Sequence, residues 1–405
     1  MKLRNYFSLT TMDYYLYSTI TGLAYLFLCV EIICLYILHF MAVLYTKLHM
    51  HRHPTNVLRD DLPGVSILKP LVGVDSNLQD NLETFFKLDY PRFELLFCVQ
   101  EENDPARKVV ESLMERYPHI DARLFVGGCK VGNNPKLNNL MPAYSASQYD
   151  LIMISDSGIK MVYTDTLTEM VCKMTPDVGL IHALPYCCNR KGFGATLEKA
   201  YFGGAHGRLY MCINMLGFTC VTGMSNLIRR SVIGVAGGFE ELAKYISEDC
   251  YMGLATVKSG LKIRLSSLPA MQNPGNYSAK SFGKRMVRWT TVRSSSVPST
   301  ILLEPFSEML VCGLCCTWAV YYLFDWDPIL FFMLHLLQWF VLDYIQLYAL
   351  QREPLNFSKF DYAVAWAYRE CTTLWHFLKG CVRNKVTWRT GTFKVKWGGF
   401  LEEVY

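Results

Sequence analysis

Two long apolar stretches bracket this chain, and they limit what it can fold into more than any other feature. The first runs from Ser18 to Tyr45; the second comprises Met309 to Phe324 and Ile329 to Leu350, joined by the turn Asp325-Trp326-Asp327-Pro328. About 20 apolar residues suffice to cross a bilayer, so each predicts membrane spans. The first is too long for a signal-peptide core, and it is followed by Lys47, His49, His51 and Arg52 rather than by a small-residue cleavage site. A signal anchor fits, with the basic cluster placing the next domain in the cytosol. Glu31 and Asp343 lie inside these runs, where a charge in lipid is costly, and Glu31 is expected to face another helix. Phe360 to Leu378 mixes aromatic residues with Asp361, Arg369 and Glu370, a pattern of an interfacial or re-entrant helix. The expected organisation is a lumenal segment over 1–17, an anchor over 18–45, a cytosolic domain over 46–305, a transmembrane hairpin over 306–350 and a membrane-associated region over 351–405.

Composition agrees with an anchored soluble domain. The 405 residues are 51% hydrophobic and 19% charged, too apolar for an ordinary soluble protein and too polar for membrane spans alone. The net charge of +5 is spread along the chain without a basic run, which argues against nucleic acid as a partner. Fifteen cysteines are odd in number, scattered, and partly set in apolar runs, as reduced thiols would be; the adjacent pairs Cys315-Cys316 and Cys187-Cys188 lack zinc-site spacing. Nothing in the sequence specifies an oligomeric state.

Between the anchors, short β-rich runs alternate with helical ones. VSILK, FELLFCV, ARLFV, LIMIS and VGLIH predict strands; Leu78–Leu88, Pro105–Tyr117, Pro135–Ser147 and Thr164–Met174 predict helices. Such alternation implies a mostly parallel sheet with its ligand site along the carboxyl edge. Asp156 follows LIMIS directly and so stands at that edge. Asp104 follows FELLFCV, and Glu248-Asp249 precede the helical pattern CYMGLATVKSG. Singly, each is more often a cap or a solvated residue than a catalyst. Lys136 follows a Gly-rich loop at a helix start, where backbone N–H groups favour anions. Arg285 and Arg288, three apart in RMVRW, share a helical face and suit phosphate, although membrane-surface docking explains them equally. Together these parts fit group transfer from a nucleotide diphosphate. A divalent ion would bridge the phosphates, arginines would neutralise the leaving group, and a carboxylate would take the acceptor proton.

The ordered set Asp104, Asp156 in SDSG, Asp249 in SEDC and Arg285 to Trp289 resembles the D, D, D, (Q/R)xxRW signature of inverting glycosyltransferases. More closely, VSILKPLVGVDSNLQDNLETFFKLDYP, NPKLNNLMP, CVTGMSNLIRR, KFDYAVAW and TWRTG are similar to the ceramide glucosyltransferase family. The resemblance implies a glycosyltransferase A-type (Rossmann-like) α/β domain on Golgi membranes, with UDP-glucose as donor, ceramide as acceptor and a cytosolic active site. It also implies that Asp104 contacts uridine and that Asp156 binds the diphosphate through Mg²⁺ or Mn²⁺. Asp249 would be the general base, and Arg285, Arg288 and Trp289 would close over diphosphate and acceptor. His206 aligns with a histidine near the family's active site. The usual DxD reads here Asp156-Ser157-Gly158; one carboxylate leaves most metal positions to phosphates and water. A polysaccharide-type synthase shares the acidic signature but needs more helices for a polymer channel; an inactive relative that binds only nucleotide-sugar or lipid is the other alternative.

Overall fold

The computed structural model describes residues 11–55, 61–217, 221–275, 277–388 and 391–403. The expected lumenal segment therefore lies mostly outside the described residues, as do Arg389 and Thr390 of TWRTG. Among the described residues, thirteen strands follow the chain: β1 (Val65–Leu71), β2 (Phe93–Val99), β3 (Ala122–Val126), β4 (Leu151–Ser155), β5 (Ile159–Lys160), β6 (Val178–His182), β7 (Pro185–Cys187), β8 (Ser225–Arg229), β9 (Lys262–Leu265), β10 (Ala270–Gln272), β11 (Lys385–Trp388), β12 (Gly391–Val395) and β13 (Leu401–Glu403).

The central sheet has the order β3-β2-β1-β4-β8-β6-β9. β1 pairs parallel with β2 and β4, β2 with β3, and β6 with β9, while β8 runs antiparallel between β4 and β6. The continuous apolar runs of β1, β2 and β4 reflect burial on both faces. On one face Ile67, Leu95 and Met153 pack under the helices Leu78–Phe86, Ala106–Arg116 and Thr166–Lys173. On the other, Leu68, Leu96, Ile152 and Ile154 meet Leu137 and Leu140 of Pro135–Ala146 and Met252 and Ala255 of Glu248–Lys258. Alternate residues of one strand thus feed two different cores. A smaller sheet, β5-β10-β7, lies beyond the carboxyl edge, with β5 following Asp156 closely and β10 ending at Gln272.

The apolar stretches form a helical bundle. The first is helical from Thr11 to His49 with a π-turn over Ile32–Ile37, and the second is a hairpin of Met309–Phe324 and Pro328–Gln351. Tyr14–His49 and Pro328–Gln351 are long and apolar enough to cross a membrane; Met309–Phe324 is shorter. Glu31 does face other helices: one oxygen lies 2.6 Å from His335 Nδ1, and the other accepts from Cys312 Sγ at 3.3 Å. Asp343 is wholly buried, with Arg208 Nη1 at 2.6 Å, Trp366 Nε1 at 3.0 Å and His39 Nε2 at 3.3 Å. The aromatic helix, Lys359–Cys381, packs on Ala279–Ser296 and on Phe193–Gly203, and the following sheet β11-β12-β13 reaches Ile246 and Val292 of the α/β domain. The described tail therefore stays on the face of the bundle that holds that domain.

Candidate active site

The carboxyl edge of the sheet gathers Asp156, Glu248 and Asp249 around one lysine. Asn134 caps the helix Pro135–Ala146, its Oδ1 accepting from the amides of Lys136 and Leu137, and Pro135 occupies the first turn, where a missing N–H costs nothing. That start aims Lys136 inward. Its Nζ lies 3.0 Å from Asp156 Oδ1 and 2.9 Å from Glu248 Oε1, and donates to Gly223 O at 3.1 Å. Burial alone would lower its pKa, but the carboxylates of Asp156 and Glu248 outweigh that and raise it. The Asn134 side chain also donates to Glu248 Oε2 at 3.1 Å, so cap and cluster share one residue.

Asp249 opens the helix Glu248–Lys258, half-buried beside Gly223, where an added Cβ would come within 3.0 Å of Asp249 Oδ2. Burial first, and the neighbouring Glu248 carboxylate second, push its pKa up to about 7. A carboxyl tuned to that value accepts a proton effectively near neutrality. Asp156 is more open, with 43% of its side chain exposed, and its Oδ2 has no hydrogen-bond partner among the described residues. Lys69, fully buried in β1, donates to the Asp156 carbonyl at 2.8 Å and lies 3.7 Å over the Phe85 ring; burial drives its pKa well below the lysine range. Asp104 accepts from Gly73 N at 3.0 and 2.8 Å and from Ala106 N at 2.8 Å, tying the exit of β1 to a helix start. One of its four acceptor positions remains open.

RMVRW lies in the helix Ala279–Ser296. Arg285 Nη1 is 2.6 Å from Glu198 Oε1, its Nη2 donates to Gln272 Oε1, and its guanidinium stacks over Trp289 and Phe202 at 4.6 and 5.1 Å. Arg190 pairs with the other oxygen of Glu198. Arg288 has no carboxylate in ion-pair range among the described residues; burial, then Arg285, lowers its pKa, an excess of positive charge that a bound anion would relieve. Trp289 borders an aromatic box with Tyr201, Phe202 and His206, and Tyr210 stacks on His206 at 4.4 Å. The His206 Nδ1 is buried without a partner, and burial depresses its pKa.

The structure thus brings Lys136, Asp156, Glu248 and Asp249 into one cluster and sets Arg285, Arg288 and Trp289 on one helix, whose Arg288 senses the Asp156 charge. Asp104 stands apart, at the end of β2. Sequence reasoning missed Glu198, Gln272, Arg190 and Lys69. Only Lys69 left a signal, as the single charge in the apolar run VSILKPL.

For a divalent cation, Asp156 offers an exposed hard oxygen of the kind Mg²⁺ and Mn²⁺ select, so the residues fit an ion completed by diphosphate oxygens and water. The other close grouping of potential ligands among the described residues, Glu31 with Cys312 and Cys316, lies in the bundle, and its carboxylate is already held by His335.

A mostly parallel sheet with one antiparallel strand, carboxylates at its carboxyl edge and Arg288 within reach of the Asp156 charge define a glycosyltransferase of the A-type fold. The profile of glycosyl transferase family 21 matches residues 34–401, and the chain belongs to that family. Ceramide glucosyltransferase 3 of Caenorhabditis elegans is 38% identical over 372 residues, covering 91% of this chain and 80% of the relative. A ceramide glucosyltransferase of Komagataella phaffii is 29% identical over 423 residues, covering 82% of each. Among solved structures, a mannosyltransferase of Pyrobaculum calidifontis in complex with GDP-Man and Mn²⁺ superposes with a TM-score of 0.52 at 14% identity, over 88% of this chain and 99% of that one. At that identity it speaks for the fold alone.

Proposed function

We propose that the chain transfers glucose from UDP-glucose to the primary hydroxyl of ceramide with inversion, releasing UDP and β-glucosylceramide. The observation that carries this is the half-buried Asp249, tuned to about 7 beside the Lys136–Asp156 pair in a chain whose curated relatives are ceramide glucosyltransferases. Those relatives favour a lipid over a polymeric product.

Asp249 takes the proton from the ceramide hydroxyl as that oxygen attacks the anomeric carbon opposite the diphosphate. One base and one displacement give inversion without a glycosyl-enzyme intermediate. Arg288, with Arg285 beside it, neutralises charge that develops on the departing phosphate. Lys136 holds Asp156 and Glu248 in place through two ion pairs, and Asp104 meets the uridine through its open acceptor position. Asp156 would hold Mg²⁺ or Mn²⁺, which supplies neutralising charge on the diphosphate when bound. Trp289 and the aromatic box form the apolar side toward the acceptor.

The bundle is read as membrane-spanning and multi-pass. Lys47 and His49 end the first apolar helix, Arg52 follows it and Arg352 follows the last, so positive charge gathers on the face that carries the α/β domain, as a cytosolic orientation requires. The Golgi assignment rests on the family resemblance. Membranes expressing the chain, given labelled UDP-glucose or UDP-galactose with ceramide, should form glucosylceramide from the first only, and lose it on chelation. Product that survives chelation removes the ion from this scheme; a polymer, or no product, overturns the assignment.

A further inference from the structure

Away from the active site, a cleft of about 550 Å³ lies between the C-terminal ends of the helices Leu38–His49 and Pro328–Gln351. We propose that it binds the headgroup phosphate of an anionic phospholipid, a ligand distinct from the ceramide acceptor. The proposal rests on the membrane reading of the bundle.

Three cations line the cleft: Lys47, Arg52 and Arg352, all exposed. None has a carboxylate in ion-pair range among the described residues. Arg52 Nε donates to Leu48 O at 3.3 Å and Arg352 Nη1 to His51 O at 2.7 Å, which leaves most of each guanidinium fork free. Against them stand Glu353, which acts on His51, and two helix C-termini of about −0.5 charge each. The balance is an excess of about one positive charge, enough to attract one phosphodiester and too small for a polyanion.

The cleft is also built rather than accidental. The two helix ends clasp each other, His51 Nε2 bonding Leu350 O at 2.8 Å while Arg352 reaches back to His51 O. Both His51 (φ 56°) and Arg352 (φ 57°) adopt left-handed backbone that non-glycine residues seldom take. With Nε2 donating to a carbonyl, His51 Nδ1 is left as an acceptor, and it is buried without a partner in a side chain only 8% exposed. Toward the bundle the lining turns apolar, with Tyr344 and with Tyr348 62% exposed, a surface for the glycerol end of an acyl chain. Basic pockets between membrane helices on the cytosolic side commonly hold such headgroups.

The test uses the full chain in phosphatidylcholine nanodiscs containing a minor fraction of phosphatidylinositol, counting phosphatidylinositol retained per chain as phosphatidylcholine is added in excess. About one should be retained, and Lys47→Gln with Arg52→Gln should weaken retention about 30-fold, from roughly 1 kcal/mol per surface cation. Lys47→Gln alone should weaken it about fivefold. Glucosyl transfer by the double variant serves as the folding control. Equal retention in wild type and both variants overturns the proposal, and so does inorganic phosphate displacing the lipid from the disc. A chain that stays outside the nanodisc overturns it through the membrane reading, whereas absent glucosyl transfer with intact retention removes only the proposed function.

Discussion

The bundle and the active-site cleft both bury charge, but they treat it in opposite ways. Asp343 is met by Arg208, His39 and Trp366, and Glu31 by His335 and Cys312, so these two bundle carboxylates are held on both oxygens. In the cleft Asp156 keeps an oxygen free, Arg288 lacks an anion and Asp249 carries a raised pKa. Neutralised charge holds helices together, whereas charge left short of partners is what a substrate completes.

The sharpest way to break this contrast is at Asp249. Asp249→Asn should lower kcat about 10²- to 10⁴-fold, the range of a lost general base, while UDP binding measured by calorimetry stays near wild type. Full activity in that variant would return Asp249 to a capping role. Asp343→Ala should act on the fold instead. Removing the carboxylate leaves Arg208 buried without its counter-charge, a loss of about 3–5 kcal/mol seen as low yield and early thermal unfolding in detergent. If Asp343→Ala were as stable as wild type, the bundle network would lose its structural role.

Arg288→Ala should lower kcat/KM for UDP-glucose about 10²- to 10³-fold, as the loss of a leaving-group donor does, without changing membrane insertion by carbonate extraction. Unchanged donor kinetics would assign RMVRW to surface docking. The smallest effect is the most diagnostic of environment. Below its pKa Asp249 is protonated and cannot accept a proton, so kcat/KM should fall about tenfold per pH unit below a limb near 7. A profile flat through neutrality would separate the base from its burial.

Much of this was legible in the sequence where the physics is local. β2, β3, β4 and β6 end where their apolar runs end, and β1 extends two residues past VSILK because Pro70 is tolerated there. The helices were legible to within a few residues for the same reason, since their apolar spacing marks one face. β8 escaped: SNLIR carries polar Ser225, Asn226 and Arg229 instead of a continuous apolar run, and its antiparallel insertion between β4 and β6 depends on partners far along the chain. The helices Phe193–Gly203 and Ala205–Met215 escaped too, being apolar enough to resemble core of any kind. Asp156 and Asp249 could be singled out by position and resemblance. Glu198 could not, because a buried glutamate is recognised only by the arginines it holds, and those lie at Arg190 and Arg285.

The helix Ala205–Met215 carries His206 in the aromatic box and, two residues later, Arg208 in the bundle network. No hinge separates them. Asp343 lies eight residues, about 12 Å, from the end of its helix, so the ion pair with Arg208 fixes the aromatic box at one level along the bundle, like a stop on a depth gauge. On the proposed function, the hydroxyl of a lipid acceptor would have to reach that level to meet the cleft.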